Sequence, residues 1–142
     1  LEVLSGQAVL EDVIQVEEKT GLAILPVITP TFTPRDMFDS AAFNAILSQL
    51  RDTYDLVVVD TAPVLAVADT RVIASRADAV LLAAKWKKTP TGVVRRAISE
   101  LHSVRAKVMG VVLNNVDMEA QARYGYDASG YYYNSYRKYY SE

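Results

Sequence analysis

An aspartate that ends an apolar run is the first residue of this chain with chemistry to consider. The run LVVV occupies positions 56–59, and Asp60 follows it within the segment LVVVDTAP. Open α/β proteins bind ligands in the crevice outside the carboxyl ends of their parallel strands. A carboxylate there can hold Mg²⁺ directly or through water, as the Walker B acid does beside a nucleotide's phosphates. The pattern predicts this role for Asp60; the alternative is that Asp60 only starts a turn.

Two adjacent asparagines end a second apolar run and form a second candidate site. The segment GVVLNNV spans 110–116 and places Asn114 and Asn115 after a predicted strand. An asparagine side chain offers both a donor and an acceptor, which suits the edge of an adenine ring. The same pair also fits an ordinary turn that follows a strand. From the residues alone, both interpretations stay open.

The third candidate is a cluster of tyrosines near the end of the chain. Eight of the nine tyrosines lie between positions 124 and 140, and they are Tyr124, Tyr126, Tyr131, Tyr132, Tyr133, Tyr136, Tyr139 and Tyr140. A phenol can accept a phosphoryl group, and a segment without Val, Leu or Ile after Val116 has little to bury. We therefore expect a globular domain over 1–116 and a flexible tail over 117–142. Stacking on single-stranded nucleic acid and a sticky low-complexity tail are the alternatives.

Short apolar runs alternate with amphipathic stretches between residues 22 and 114, which indicates parallel strands crossed by helices. The predicted strands are 22–25, 56–59, 80–84 and 108–113. The second and fourth are apolar without alternation, as expected of strands in the interior of a sheet.

Four helices are predicted from cap residues and from apolar periodicity. Thr33-Pro34 and Thr89-Pro90 each place a hydroxyl at an N-cap and a proline at the first helical position. The helix after Thr33 should run to about Arg51, and shorter helices are predicted over 9–14 and 69–75. Asp69 could cap the last of these. The fold class expected is therefore α/β.

The amino-acid composition argues against several classes of function. The chain has 142 residues, of which 51% are hydrophobic, and 15 basic and 17 acidic residues give a net charge of −2. No general positive field exists to hold a nucleic acid, so we expect no nucleic-acid partner. No cysteine is present, which excludes disulfides and thiolate metal sites. No apolar run has the length of a membrane-spanning helix, so we expect the chain as given to be soluble.

A phosphate-binding loop of the form GxxxxGK(S/T) does not occur in the sequence. Such a loop cradles the phosphates in nucleotide-binding α/β domains. The sequence also begins at Leu1 and not at a methionine. We therefore expect this chain to be a piece of a longer protein whose phosphate-binding half lies upstream.

Four segments, taken in order, resemble the bacterial tyrosine kinases of the polysaccharide co-polymerase type. They are GLAILP at 21–26, TPRDMFDSAAFNAILSQLRDTYDLVVVDTAPVLAVADT at 33–70, GVVLNN at 110–115 and the tyrosine cluster. The resemblance covers nearly the whole chain and implies a partial doubly wound parallel sheet of the P-loop NTPase, ParA/MinD-like type. It further implies ATP and Mg²⁺ as cofactors. The alternatives are a ParA/MinD-like ATPase without kinase activity and a noncatalytic interaction module.

The resemblance also implies roles for individual residues. Asp60 becomes the Walker B aspartate, Asn114 and Asn115 become neighbours of the adenine, and the clustered tyrosines become autophosphorylation sites. The family's Walker A loop, its second aspartate motif and its ring-forming helix would precede Leu1, so the fragment alone should be inactive. Ala62 departs from the family, which often has a proline there.

For the intact protein, the resemblance implies partners and a place in the cell. Copies of the kinase would form a ring. A membrane-embedded activator or an N-terminal transmembrane segment would hold it at the cytoplasmic face of the bacterial inner membrane. Its activity would regulate the synthesis and export of capsular polysaccharide or exopolysaccharide.

Overall fold

The computed structural model describes residues 2–26, 37–117 and 120. Its α-helices are α1 (Leu10–Val13), α2 (Ala41–Thr53), α3 (Ala68–Arg76) and α4 (Thr91–Ser103). Its strands are β1 (Gln15–Val16), β2 (Ala23–Ile24), β3 (Val80–Lys85) and β4 (Val108–Asn114), and a 3₁₀ turn covers Met37–Asp39. The predicted helices over 9–14 and 69–75 and the predicted strands over 80–84 and 108–113 are confirmed within one or two residues.

Strands β3 and β4 form a parallel pair joined by α4. Val80 lies opposite Val108 and Lys85 lies opposite Asn114, with one irregularity between Val80 and Leu81. A parallel pair requires a crossover connection, and the amphipathic α4 supplies it. The carboxyl ends of both strands therefore meet at one edge of the sheet, where Lys85 and Asn114 lie.

The core lies on one face of this pair. Buried Val64, Ala74, Ala97, Leu101 and Ala106 form one cluster. Val80, Leu82, Val104 and Val108 pack against the cluster. The intervening Leu81 and Met109 are 65% and 74% exposed. Helices therefore cover one face of the sheet within the described part of the chain.

The prediction of a buried strand over 56–59 is wrong. These residues form no strand, and Leu56 and Val58 are 78% and 81% exposed. A strand requires a neighbour for its backbone groups, and no described residue pairs with this run. The prediction that β4 lies in the interior is also wrong, because its Val112 and Leu113 are 48% and 51% exposed.

The strand predicted over 22–25 is short and lies outside the parallel sheet. Ala23 and Ile24 pair antiparallel with Val16 and Gln15 in a hairpin. Glu17 organises the turn of this hairpin, since its carboxylate accepts hydrogen bonds from the Thr20 hydroxyl at 2.6 Å and from the Thr20 and Lys19 N–H groups. Gly21 follows with a φ of 72°, which glycine adopts without steric cost.

We expect acid to weaken this hairpin through Glu17. The hydrogen bond from the Thr20 hydroxyl, followed by those from the Lys19 and Thr20 backbones, lowers the pKa of Glu17. A carboxyl with a lowered folded-state pKa stabilises the fold above its unfolded pKa of about 4.3, and this contribution is lost as the pH falls through the folded value. The Thr20 amide resonance, followed by NMR during acidification, should report that loss. Glu18→Gln should keep the profile and Glu17→Gln should abolish it; the reverse result would contradict this assignment.

Two helix starts differ from the predictions. The helix expected to run unbroken from Thr33 to Arg51 is interrupted, since the 3₁₀ turn precedes Ser40 and α2 begins at Ala41. The Ser40 hydroxyl accepts from the Phe43 N–H at 3.1 Å, which makes Ser40 the N-cap. The Thr33-Pro34 signal lies outside the described residues.

The start of α4 also differs. Pro90, whose ring has no hydrogen-bonding group, occupies the N-cap position. The prediction that Thr89 is the N-cap is wrong, since its hydroxyl accepts from the Lys85 N–H at 2.9 Å. The predicted apolar stripe of α2 is confirmed: Phe43 is buried, and Ile46, Leu47 and Leu50 are half-buried.

Side-chain contacts join α2 to α3. The Arg76 guanidinium donates to the Asn44 amide oxygen and to the Asp39 carboxylate. Arg51 reaches Asp78 at 3.3 Å, just beyond the end of α3. These contacts fix α3, which in turn holds the segment after Asp60.

Candidate functional site

The segment that follows Asp60 is anchored to α3 and to the core. The Thr70 hydroxyl donates to the Ala62 carbonyl at 2.9 Å, and the Arg71 guanidinium donates to the Val64 carbonyl at 3.2 Å. Val64 is 7% exposed and belongs to the core cluster. The Ala66 and Val67 N–H groups donate to the Pro63 carbonyl at 2.9 and 3.2 Å, which closes a turn. The backbone two to four residues beyond Asp60 is therefore held in place.

Asp60 itself is exposed directly before this anchored turn. Among the described residues, no hydrogen bond or ion pair engages its carboxylate. Its oxygens are therefore accessible to a cation or to the water that a cation carries. Asp60 is thus an available carboxylate, but it does not follow a strand as the sequence predicts, and its metal-binding role stays a prediction.

The side chains near Asp60 fit a metal ion that takes few protein ligands, and they do not fit a metal ion that needs several. Within the described residues, no group of three or more His, Cys, Asp or Glu side chains could hold a metal ion. Mg²⁺ fits such a setting, because it is commonly bound by one or two carboxylates together with substrate phosphates and waters. Whether Asp60 takes part in such a site together with a nucleotide stays a prediction.

We expect Thr70→Val to destabilise the domain by about 1–2 kcal/mol. Thr70 is 7% exposed, so the change keeps the shape of the side chain but leaves the Ala62 carbonyl without its donor. Thr53→Val is a matched control, since it removes an exposed hydroxyl bond to the Gln49 carbonyl and should cost less than about 0.5 kcal/mol. Urea unfolding measures both variants. Equal losses would mean that the bond between Thr70 and Ala62 has no special weight.

Asn114 and Asn115 lie at the carboxyl end of β4, as predicted. The Asn114 carbonyl accepts from the Trp86 N–H at 2.9 Å, and its side-chain oxygen accepts from the Asn115 N–H at 2.8 Å. Asn115 has a φ of 55°, so a turn follows the strand. Both residues are exposed. No hydrogen bond joins either of them to Asp60 in the described part of the chain, and contact with adenine stays a prediction.

Two predicted features remain to be placed. The eight clustered tyrosines, from Tyr124 to Tyr140, lie outside the described residues, as does nearly all of the expected tail over 117–142. Asp69 lies in the first turn of α3, where an acid favours the helix dipole, and it does not cap the helix.

Sequence reasoning missed the residues that hold the Asp60 segment. Thr70 and Arg71 follow Asp69, which drew attention as a possible cap. A threonine in the first turn of a helix, eleven residues after the end of the apolar LVVV run, carries no distinctive signal. Only the structure, in which the start of α3 lies beside Ala62, shows the hydrogen bond from Thr70 to the Ala62 carbonyl.

No family model matches the chain. It is 33% identical over 146 residues to the succinoglycan biosynthesis transport protein ExoP of Rhizobium meliloti (strain 1021), an alignment covering 100% of this chain and 19% of ExoP. It is 33% identical over 115 residues to the tyrosine-protein kinase ptk of Acinetobacter johnsonii, covering 81% of this chain and 16% of ptk. The chain thus spans less than a fifth of these relatives.

Two solved kinase domains are similar to this chain in structure. The VpsO kinase domain matches with a TM-score of 0.76 and 34% identity, over 82% of this chain and 57% of that one. The kinase domain of the Escherichia coli tyrosine kinase ETK matches with a TM-score of 0.73 and 30% identity, over 81% and 45%. The expected α/β fold of the P-loop type is thereby confirmed. The chain belongs to the bacterial tyrosine kinases and corresponds to part of their kinase domain.

Proposed function

We propose that the protein containing this chain transfers the γ-phosphoryl group of ATP to tyrosines of its own C-terminal tail. The observation that carries the proposal is the position of Asp60: exposed, directly before an anchored turn, in a chain similar to solved tyrosine kinase domains. The tail supplies eight candidate acceptors within 17 positions, from Tyr124 to Tyr140. The tail would thus supply the phosphoryl acceptor, and Asp60 would supply a carboxylate for the metal that accompanies ATP.

The proposed reaction breaks the bond between the γ-phosphorus and the β,γ-bridging oxygen of ATP and forms a bond to a tyrosine oxygen. ADP leaves, and the phenol loses its proton. An ordinary tyrosine has a pKa near 10, so a base supplied by the upstream half of the domain should accept that proton. Mg²⁺ held through Asp60 would offset the charge on the phosphoryl oxygens. Asn114 and Asn115 would contact the adenine.

The partners proposed for the intact protein are other copies of itself. A tail could then reach the site of a neighbouring subunit in a ring, and each phosphate would add about −1.5 to −2 charges. Eight phosphates would bring on the order of −12 to −16, enough for repulsion to favour dispersed subunits.

A place at the membrane and a role in polysaccharide export complete the proposal. No helix within the described ranges is long and apolar enough to cross a membrane. A membrane-embedded activator or a transmembrane segment elsewhere in the protein would hold it at the cytoplasmic face of the inner membrane. ExoP is named for succinoglycan biosynthesis and transport, which supports a role in regulating exopolysaccharide synthesis.

The second candidate is a ParA/MinD-like ATPase. It would use the same carboxylate and asparagines, but it would not need the tail tyrosines. Replacing all eight tail tyrosines with phenylalanine in the intact protein separates the two. The kinase should lose its acceptors and with them its phosphotyrosine, whereas the ATPase should keep hydrolysing ATP. Tyr54→Phe is the matched control, since Tyr54 is the one tyrosine of the sequence outside the tail cluster. Its backbone N–H donates to the Leu50 carbonyl at the end of α2, and the substitution keeps that bond.

Immunodetection of phosphotyrosine and release of phosphate from ATP are the two readouts. Phosphotyrosine that survives in the eight-fold variant and disappears with Tyr54→Phe would place the acceptor in the domain. ATP hydrolysis without any phosphotyrosine in the natural sequence would favour the ATPase.

A further inference from the structure

A continuous stretch of the chain carries positive charge without any acid. Residues 79–99 contain five basic residues and no Asp or Glu, although the whole chain has a net charge of −2. The five are Lys85, Lys87, Lys88, Arg95 and Arg96, here called the basic surface. All five are exposed.

An ordered turn presents the lysines of the basic surface. The Thr89 and Lys88 N–H groups donate to the Lys85 carbonyl at 2.9 and 3.2 Å. The Thr89 hydroxyl accepts from the Lys85 N–H at 2.9 Å, which closes the turn from its other side. The Lys87 ammonium lies 4.2 Å from the centre of the Trp86 ring. These contacts hold the backbone of the turn in one conformation.

Three arginines elsewhere in the domain are paired with acids. Arg51, Arg71 and Arg76 each contact a carboxylate. Among residues 2–26, 37–117 and 120, by contrast, no carboxylate lies within ion-pairing distance of Lys85, Lys88, Arg95 or Arg96. A group of unneutralised cations raises the local positive potential and attracts anions of matching extent. The surface therefore suits a ligand with several negative charges.

The tail leaves the domain beside this surface. Lys85 lies opposite Asn114 at the carboxyl edge of the sheet, and the Trp86 N–H donates to the Asn114 carbonyl at 2.9 Å. Tyr124 comes ten residues after Asn114, and ten residues can span up to about 33 Å. The tail tyrosines are thus tethered within reach of the lysines, at the high effective concentration that a short linker gives.

Phosphorylation would make the tail complementary to the basic surface. Residues 121–142 contain three basic side chains and two acidic ones, so the unmodified tail is almost neutral. Each phosphotyrosine would add about −1.5 to −2 charges. Arginine and lysine bind phosphate through charge-assisted hydrogen bonds.

We propose that the basic surface binds the phosphorylated tail of this protein and so holds the product of the reaction at the carboxyl edge of the sheet. This inference rests on the proposed function, because only phosphorylation creates the charge. Binding of the tail would remove the phosphotyrosines from the acceptor position next to Asp60. The surface would thereby retain a modified tail after transfer and favour the exchange of modified for unmodified acceptors.

Trp86 offers a built-in probe of this binding. It is the only tryptophan of the chain and lies inside the basic turn. A synthetic peptide of residues 121–142, phosphorylated chemically on its tyrosines, is titrated into the 142-residue chain while Trp86 emission is followed. The phosphopeptide should change the emission and bind at least about tenfold more tightly than the unmodified peptide. Added salt should weaken its binding.

The matched variants differ only in which edge of the sheet loses charge. Lys85→Gln/Lys88→Gln removes two charges from the basic surface and should weaken phosphopeptide binding about tenfold. Arg105→Gln/Lys107→Gln removes two exposed charges next to the opposite end of β4 and should change binding less than about twofold. Lys85→Arg/Lys88→Arg keeps both positive charges and should bind the phosphopeptide as tightly as the unchanged chain. Circular dichroism should show the same fold in all three.

Three results would overturn the inference. The two glutamine variants could lose affinity equally, or the unmodified peptide could bind as tightly as the phosphopeptide. Vesicles containing phosphatidylglycerol could change Trp86 emission and lose that effect in Lys85→Gln/Lys88→Gln while the phosphopeptide has none; the surface would then bind membrane lipid. Because the peptide is phosphorylated chemically, these outcomes do not depend on kinase activity. A kinase that labels its tail although the phosphopeptide does not bind would leave the proposed function intact.

Discussion

Asp60→Asn should lower the rate of tail phosphorylation by the intact kinase about 100-fold, which corresponds to roughly 2.7 kcal/mol of transition-state stabilisation. The amide keeps the size of the carboxylate and removes its charge, so the loss would test the proposed interaction with Mg²⁺. The exposed position of Asp60 makes a structural effect small, since no described residue depends on its side chain for a hydrogen bond. The initial rate of phosphotyrosine formation, measured over a range of Mg²⁺ concentrations, should show both a lower maximum and a higher Mg²⁺ requirement.

Asp55→Asn is the control for this change. Asp55 is also exposed and lies at the other end of the same LVVV run, which separates it from Asp60 by four residues. It should lower the rate less than about twofold. If Asp60→Asn phosphorylated the tail as fast as the unchanged kinase, the metal would have to be held elsewhere.

Leu101→Ala should destabilise the domain by about 3 kcal/mol. Leu101 is 1% exposed, the only large side chain of the described residues that is fully buried. It lies in the cluster that joins α3, α4 and the β3–β4 pair. Replacement of a buried leucine with alanine costs about 2.7–5.0 kcal/mol, and more when the surroundings cannot collapse into the cavity. Urea unfolding followed by far-ultraviolet circular dichroism measures the change.

Val93→Ala tests whether burial, and not helix α4 as such, sets that cost. Val93 lies on the same helix and is 43% exposed. Its truncation should cost no more than about 1 kcal/mol. Similar losses for the two variants would indicate that the cluster around Leu101 is not the centre of the core.

The elements that sequence predicted well are those whose partners lie nearby in the chain. Strands β3 and β4 and the intervening α4 form one β-α-β unit, so local periodicity contains most of the information. The same is true of α3, whose buried Thr70 and Ala74 are four residues apart. In these cases the apolar pattern and the partner that covers it lie within about 35 residues of sequence.

The LVVV run shows what a local pattern cannot supply. Four apolar residues without alternation indicate a strand covered on both faces. The covering elements and the hydrogen-bonding neighbour must come from elsewhere, and no described residue provides them. The structure therefore leaves Leu56 and Val58 exposed. The residues carry the tendency to form a strand, whereas the strand itself depends on a partner.

The hydroxyl cap predicted at Thr89 is wrong, and the hydroxyl cap at Ser40 was not predicted. Thr89 and Ser40 both precede helices, but the Thr89 hydroxyl bonds to Lys85 and only the Ser40 hydroxyl bonds within its own helix. Thr70 was not singled out, yet it fixes the segment after Asp60. A hydroxyl has several possible partners of similar energy, so three-dimensional contacts decide among them.

The candidate site followed the same rule. The positions of Asp60 and Asn114 after apolar runs could be read from the sequence, because the type and order of the residues are local. Their mutual arrangement could not, since it depends on α3 and on the turn from Pro63 to Val67. The basic surface is visible in the sequence as a stretch of basic residues without an acid. Only the structure shows that no carboxylate of the described residues pairs with Lys85, Lys88, Arg95 or Arg96.

Phosphate mapping on the tail tests the central claim most directly. The chain is incubated with ATP, Mg²⁺ and an intact kinase of the same family that supplies the phosphate-binding loop, and its peptides are then analysed by mass spectrometry. We predict phosphate on one or more of the eight tyrosines between Tyr124 and Tyr140 and none on Tyr54. A tail that stays unmodified while the added kinase labels its own tyrosines would contradict the account.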